Sequence, residues 1–129
     1  MHLIINFLAS IAVALALAGA TPAQGQNKQM VRLAKLVIDS AQLTIYTSML
    51  KEEIEASLKV EPGVLALYAV SEKERPHYIT ILEVYADAEA YKKHIQKPHF
   101  LKYKNGTKDM VKSLELVEVD PLISTIKFK

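Results

Sequence analysis

Two histidines, His94 and His99, lie in one short stretch, Tyr91-Lys92-Lys93-His94-Ile95-Gln96-Lys97-Pro98-His99-Phe100-Leu101-Lys102-Tyr103. Histidine is the side chain best matched to moving protons near neutral pH, so proton transfer is the chemistry this stretch suggests. The pair is five residues apart, which is not the spacing that puts two ligands on one helix face. Pro98 bends the path between them, so both rings can still turn into one cavity. Glu83 adds a carboxylate to a strand that is otherwise apolar at that point. The six tyrosines (Tyr46, Tyr68, Tyr78, Tyr85, Tyr91 and Tyr103) supply phenols that hold an aromatic ligand and hydrogen-bond its oxygens. Each of these residues also has a structural reading. His94 can pack between helix and sheet, His99 can satisfy backbone groups at a helix start, and Glu83 can pair with a lysine or with His94.

What the chain lacks narrows the chemistry. It has no cysteine, which removes disulfides, thiolate nucleophiles and cysteine-held metals. Its four glycines, Gly19, Gly25, Gly63 and Gly106, form neither a phosphate loop nor a dinucleotide fingerprint. There is no G-x-S-x-G elbow and no H-E-x-x-H. Flavin or nicotinamide binding by the usual glycine-rich turn is therefore unsupported, and the histidine pair lacks metal-ligand spacing. The net charge is +2 with lysine and arginine spread along the chain, so nucleic acid is not an expected partner.

The elements that must position these residues follow from hydrophobic period. The 129 residues suffice for one domain. Val31 to Ile38 reads as a strand. Asp39 caps a helix, with Gln42 reaching back, and the helix runs to about Lys59. Leu43, Tyr46, Leu50, Ile54 and Leu58 form its apolar face; Lys51, Glu52, Glu53 and Glu55 fall largely off it. Glu61-Pro62-Gly63 turns the chain. Val64 to Val70 is apolar on both faces and reads as a strand buried on both sides. His77 to Tyr85 returns after a polar hairpin loop. Asp87 caps a helix from Ala88 to about Gln96, and Pro98 opens a second helical segment whose apolar stripe runs to Met110 and Val111. Asn105-Gly106 interrupts or weakens that segment. Leu114 to Val119 is the last core strand, and Leu122 to Phe128 is a strand-like tail. The order β-α-β-β-α-β is the ferredoxin-like α+β arrangement with an antiparallel sheet. The doubly apolar strand and the tail need cover, and a second copy supplies it: a homodimer pairing sheets into an α+β barrel, with tails exchanged.

The first stretch reads as a targeting signal. Leu3 to Ala18 is mainly apolar, and small residues around Ala20 and Ala23 suit signal-peptide cleavage. The expected division is a secretory signal over 1–23, a polar leader over 24–30 and the folded domain over 31–129. The apolar run is shorter than the ~20 residues of a spanning helix. No stable membrane span is expected after cleavage, and the expected location is secreted or periplasmic.

Glu61-Pro62-Gly63-Val64, then His77-Tyr78 to Leu82-Glu83-Val84-Tyr85, then Ala90, His94 and Pro98-His99-Phe100, resemble the antibiotic biosynthesis monooxygenase domain, in its quinol monooxygenase-like branch of the dimeric α+β barrel proteins. The resemblance covers about residues 31–121. It implies a ferredoxin-like dimer and oxygenation of a quinol or related aromatic by molecular oxygen, without metal or flavin. On this reading His94 is the base or orients substrate, His99 supports it, and Tyr85, Glu83, Tyr46 and Tyr68 line the pocket. Tyr85 stands where relatives often carry Trp, and this chain has no Trp. The alternative is a non-catalytic envelope protein binding a small aromatic or haem-like ligand in the same cavity.

Overall fold

The computed structural model describes residues 28–127. The expected signal peptide and most of the polar leader lie outside the described residues. Strand β1 spans Met30–Ile38, helix α1 Leu43–Val60, β2 Val64–Ser71, β3 Tyr78–Tyr85, α2 Ala88–His94, α3 Pro98–Thr107 and β4 Val111–Val119. The four strands form one antiparallel sheet in the order β2-β3-β1-β4. This is the ferredoxin-like α+β fold, with its second helix split in two. Among the described residues no helix is long and apolar enough to cross a membrane.

Local chemistry accounts for most boundaries. The Asp39 carboxylate accepts from the Ala41 amide at 3.1 Å, but it caps a 3-10 turn, Ser40–Gln42, rather than α1 itself. The Gln42 side chain makes no capping bond. Asp87 caps α2 by accepting from the Ala90 amide at 2.8 Å, and Pro98 occupies the first turn of α3, where a missing amide proton costs nothing. Helix α2 stops at His94 because Gln96 and Lys97 donate to Lys93 and His94 carbonyls in a tight turn ahead of Pro98. Helix α3 runs through Asn105-Gly106 to Thr107. Gly106 leaves room for the end of the flexible Met49 side chain of α1.

Strand β4 begins at Val111, earlier than expected, because the ladder with β1 extends to the Val111–Ile38 pair. The tail expected to pair with a second copy has no ladder within the described residues of the single chain. Residues 121–127 form no strand, and Leu122, Ile123 and Ile126 are exposed. A strand needs a partner for its amides, and the tail has no ladder partner among the described residues. Strand β2 is also not buried on both sides. It is an edge strand of this sheet, with Tyr68 and Val70 exposed.

The register sorts side chains onto two faces. Arg32, Ala34 and Leu36 on β1 pair with Glu83, Ile81 and Ile79 on β3 and share the helix-covered face. Ala34, Leu36, Ile38, Ile79 and Ile81 form the core there with Tyr46 and Leu50 from α1. Helices α1 and α2 pack over β2 and β3, and Leu114 and Leu116 of β4 stay exposed at the open end of this face. The other face carries Leu33, Leu82 and Val117 as directly paired neighbours and is bare of helices.

Helix α1 presents a different stripe from the expected one. Tyr46, Leu50, Glu53 and Ser57 are its buried residues, whereas Leu58 is exposed. These four fall at offsets of 0, 4, 7 and 11 on one helical line. The α1 residues nearest the sheet thus change from apolar to polar along the helix.

Candidate functional site

A cavity of about 400 Å³ opens between the helices and the β1–β4 half of the sheet. Its floor is Ala34, Leu36 and Ile81; Leu114 and Leu116 form its outer edge; Phe100, Tyr103 and Tyr91 close it from the helix side. Arg32, Glu53, Glu83 and His94 bring charged or imidazole groups to this largely apolar space, beside the Tyr85 and Tyr103 phenols and buried Thr107.

His94 is positioned by two carboxylates. It closes α2, where its ring is only 3 % exposed. Its Nδ1 donates to Glu61 Oε2 at 2.9 Å, and its Nε2 lies 3.4 Å from Glu53 Oε1. Glu53 is held in turn by the Ser57 hydroxyl, which donates to Oε1 at 2.7 Å. Glu61 reaches His94 because the turn after α1 docks on α2. A Cβ on Gly63 would meet the Ala90 Cβ at 2.6 Å, so only glycine permits this approach. The Gly63 carbonyl also accepts from the Ala86 amide at 2.8 Å. His99, in the first turn of α3, donates from Nε2 to the same Glu61 oxygen at 2.6 Å. The result is a row of contacts, Ser57–Glu53–His94–Glu61–His99, hydrogen-bonded at every step except the 3.4 Å approach of Glu53 to His94.

The two carboxylates are driven apart electrically. Burial pushes the Glu53 carboxyl up, only partly offset by the Ser57 hydrogen bond and the histidines. Burial acts on Glu61 in the same sense, but hydrogen bonds from His94 and His99, with their charges, outweigh it and hold Glu61 below the usual carboxylate range. Environments that separate two like groups in this way assign one as anion and the other as proton carrier.

Glu83 and Tyr85 form the second polar element. They project from the same face of β3, and the Tyr85 hydroxyl donates to Glu83 Oε1 at 2.6 Å. Burial raises the Glu83 carboxyl against the opposing Tyr85 bond and Arg32 charge, and it raises the Tyr85 phenol too. The Tyr85 ring packs on Tyr91 and His94 with centroids 5.3 and 5.4 Å away. Arg32 bonds Glu118 at 3.1 Å and sits 4.4 Å over the Tyr91 ring, while its Nε is buried without a hydrogen-bond partner.

Of the residues singled out in the sequence, His94, Glu83 and Tyr85 come together on the cavity. His99 stands behind its wall and joins His94 through Glu61. Tyr46 is fully buried behind Tyr103, sharing a 2.6 Å hydroxyl contact with it, and Tyr103 is the one that lines the cavity. Tyr68 is on the bare face. The β2 register shifts between Val64 and Ala66, so Val64 faces the helices while Ala66 and Tyr68 pair with Val84 and Leu82 on the other side. A one-residue bulge inverts every following side chain. Sequence reasoning missed Glu53, Glu61, Ser57 and Arg32 as site residues. The signal for Glu53 was its position seven residues after Tyr46, on the same helical line as the core. Nothing in the order of residues announces the partnership of Glu61 with histidines 33 and 38 residues away.

The profile of the antibiotic biosynthesis monooxygenase family matches residues 30–106. No curated protein matches the chain. Among solved structures, a protein from Bacteroides thetaiotaomicron named for the antibiotic biosynthesis monooxygenases is 59% identical, with a TM-score of 0.76 over 79% of this chain and 97% of that one. A protein from Lactobacillus acidophilus named as a monooxygenase is 27% identical, with a TM-score of 0.68 over 74% of this chain and 52% of that one. One from Nitrosomonas europaea, 17% identical with a TM-score of 0.70 over 81% of this chain and 99% of that one, shares the fold. With the family profile spanning more than half of its length, the chain belongs to the antibiotic biosynthesis monooxygenase family.

Proposed function

We propose that this protein is a monooxygenase acting on a quinol or related electron-rich phenol. The observation that carries the reading is a buried histidine clamped between two carboxylates in the wall of an apolar, aromatic-lined cavity. Ground-state oxygen is a triplet and reacts slowly with closed-shell molecules, but a phenolate can itself donate the first electron. The protein then has to bind the phenol, take its proton and keep water away. The cavity is large enough for a small ring system. With Glu61 held as the anion and the Glu53 carboxyl pushed up by burial, His94 and Glu53, 3.4 Å apart on the cavity, are the pair placed to exchange a proton with a ligand. That pair accepts the phenolic proton. Arg32, with an unpartnered Nε, favours the phenolate that results. The phenolate passes one electron to oxygen, the radical pair combines at a ring carbon, and the peroxide loses water to leave a carbonyl. Overall, a phenol and O2 give a quinone and water, and the substrate supplies the two electrons.

Oxygen uptake with a panel of reduced naphthoquinols and phenols tests this. Under labelled oxygen, the product should gain one labelled atom and lose two hydrogens. Tight binding of the same compounds without oxygen uptake would favour a non-catalytic binding protein instead.

The bare sheet face and the exposed tail support a homodimer closed face to face. The apolar segment and small residues of 1–23 support export to the envelope. Mass spectrometry of the chain purified from cells decides the second point: an N-terminus near Gln24 is expected, and retention of Met1 would overturn it.

A further inference from the structure

We propose that Glu61, His94 and His99 form a binding site for a divalent transition-metal cation behind the cavity wall. The sequence argued against a metal because His94 and His99 lack ligand spacing along the chain. The fold changes the donor set. The end of α1 supplies a carboxylate, the end of α2 an imidazole and the first turn of α3 another, and the three donor atoms lie within 4.8 Å of one another. Two imidazoles and one carboxylate suit Zn2+, Co2+ or Fe2+, and three protein donors leave room for water in the remaining positions.

Three further features fit. First, the geometry is close. A cation about 2.0–2.2 Å from each donor needs donor separations of about 3 Å or slightly more. Glu61 Oε2 is already 2.9 Å from His94 Nδ1 and 2.6 Å from His99 Nε2. The two imidazole nitrogens, within 4.8 Å of each other, must draw closer while both move off the Glu61 oxygen, a shift most easily made by the partly exposed His99. Second, the free nitrogen of His94 faces a carboxylate. Glu53 stands 3.4 Å from Nε2 and is itself held by Ser57 at 2.7 Å. A carboxylate behind a ligating histidine fixes its tautomer and leaves the opposite nitrogen for the metal. Among the described residues, anionic Glu61 has only histidines as ion-pair partners, so a dication answers its charge. Third, His99 has open space beside it into which its ring can move. A small pocket of about 40 Å³, bordered by Glu52, Glu53, His99 and Lys102, lies on the outer side of the site.

Glu61 and His99 do not line the 400 Å³ cavity, so the site goes beyond the proposed reaction and does not depend on it. The cation would reach the cavity only through His94, which it fixes with Nε2–H directed at Glu53.

The test is a titration of the full chain, without an affinity tag, with Co2+, followed by its visible d–d bands and by Zn2+ displacement in calorimetry. One equivalent per chain is expected. His99→Ala and Glu61→Gln should each weaken binding at least tenfold, and Glu53→Gln about 10–100-fold. His77→Ala and His2→Ala should leave it unchanged. A second readout uses the unaltered protein: Zn2+ should move the NMR resonances of the His94 and His99 rings and leave those of His77 in place. Absence of d–d bands at millimolar cobalt, binding that survives His99→Ala in folded protein, or histidine shifts confined to His2 and His77 would each overturn the site. None of these readouts involves oxygen uptake, so failure here and failure of the monooxygenase reading are distinguishable.

Discussion

On the helix-covered face of the sheet, Arg32 pairs with Glu83 across the strands, beside Ala34, Leu36 and Ile81. On the bare face the neighbouring row is Leu33, Leu82 and Val117, with Val31 and Val84 beside them. The face that is packed in the single chain admits buried charges, and the one without helices carries this apolar row, with the exposed Lys35–Glu115 ion pair in the next one. The usual expectation runs the other way. Buried charge on the covered face is tolerable because most of it is partnered: Glu53 by Ser57 and His94, Glu61 by two histidines, Glu83 by Tyr85. Such groups are costly to bury, and a fold keeps them where they act. The bare face has no comparable cluster, and its apolar middle asks only to be covered.

The sharpest way to break this contrast is at His94. If the covered face is the reactive one, His94→Ala lowers oxygen uptake about 10²–10⁴-fold, and His77→Ala leaves it intact. An unchanged rate would remove His94 as part of the base. On the bare face, Leu82→Glu places a charge in the middle of the apolar row. Gel filtration should then show a monomer where the parent runs as a dimer, with a loss of several kcal/mol from dimer stability if the charge is left unpaired. A parent that elutes as a monomer would leave the apolar row without cover.

Ser57→Ala probes the partnering itself. It removes the hydroxyl that donates to buried Glu53, and denaturant unfolding should show a loss of about 1–3 kcal/mol. Exposed Ser48→Ala on the same helix should stay within about 0.5 kcal/mol. The smallest effect has the opposite sign. Burial raises the Glu83 carboxyl, so the unfolded chain ionises first as pH rises from about 4, and folding stability falls until the folded carboxyl has ionised as well. Glu83→Gln removes that loss and keeps an acceptor for Tyr85. The variant should match the parent below pH ~4 and exceed it by about 1 kcal/mol or less at pH 8, while oxygen uptake falls. A variant less stable than the parent at pH 8 would show that the charge of Glu83 is used by Arg32 to hold the fold.

The strands, the split second helix and the family were legible because each rests on local pattern: alternation in Tyr78–Tyr85, the cap at Asp87, proline at the start of α3. Half of the candidate site was legible for the same reason. Glu83 and Tyr85 share a strand face with Ile79 and Ile81, and His94 stands out by its residue type and its place in the family motif. Glu53 was misplaced because α1 turns its polar stripe, Glu53 and Ser57, toward the sheet near its end, and Leu58 outward. Hydrophobicity alone assigns those faces the other way round. Tyr68 was misplaced by the register shift near Leu65, which no alternation rule detects.

The sequence by itself determined the elements, their order and the histidine pair as candidate site residues, because helix and strand periods, caps and residue types are read over a few residues. Only the tertiary structure decided that Glu61 belongs to those histidines. That contact depends on the Pro62-Gly63 turn lying flat against Ala90, a packing relation between segments about thirty residues apart, where chain order carries no information about distance.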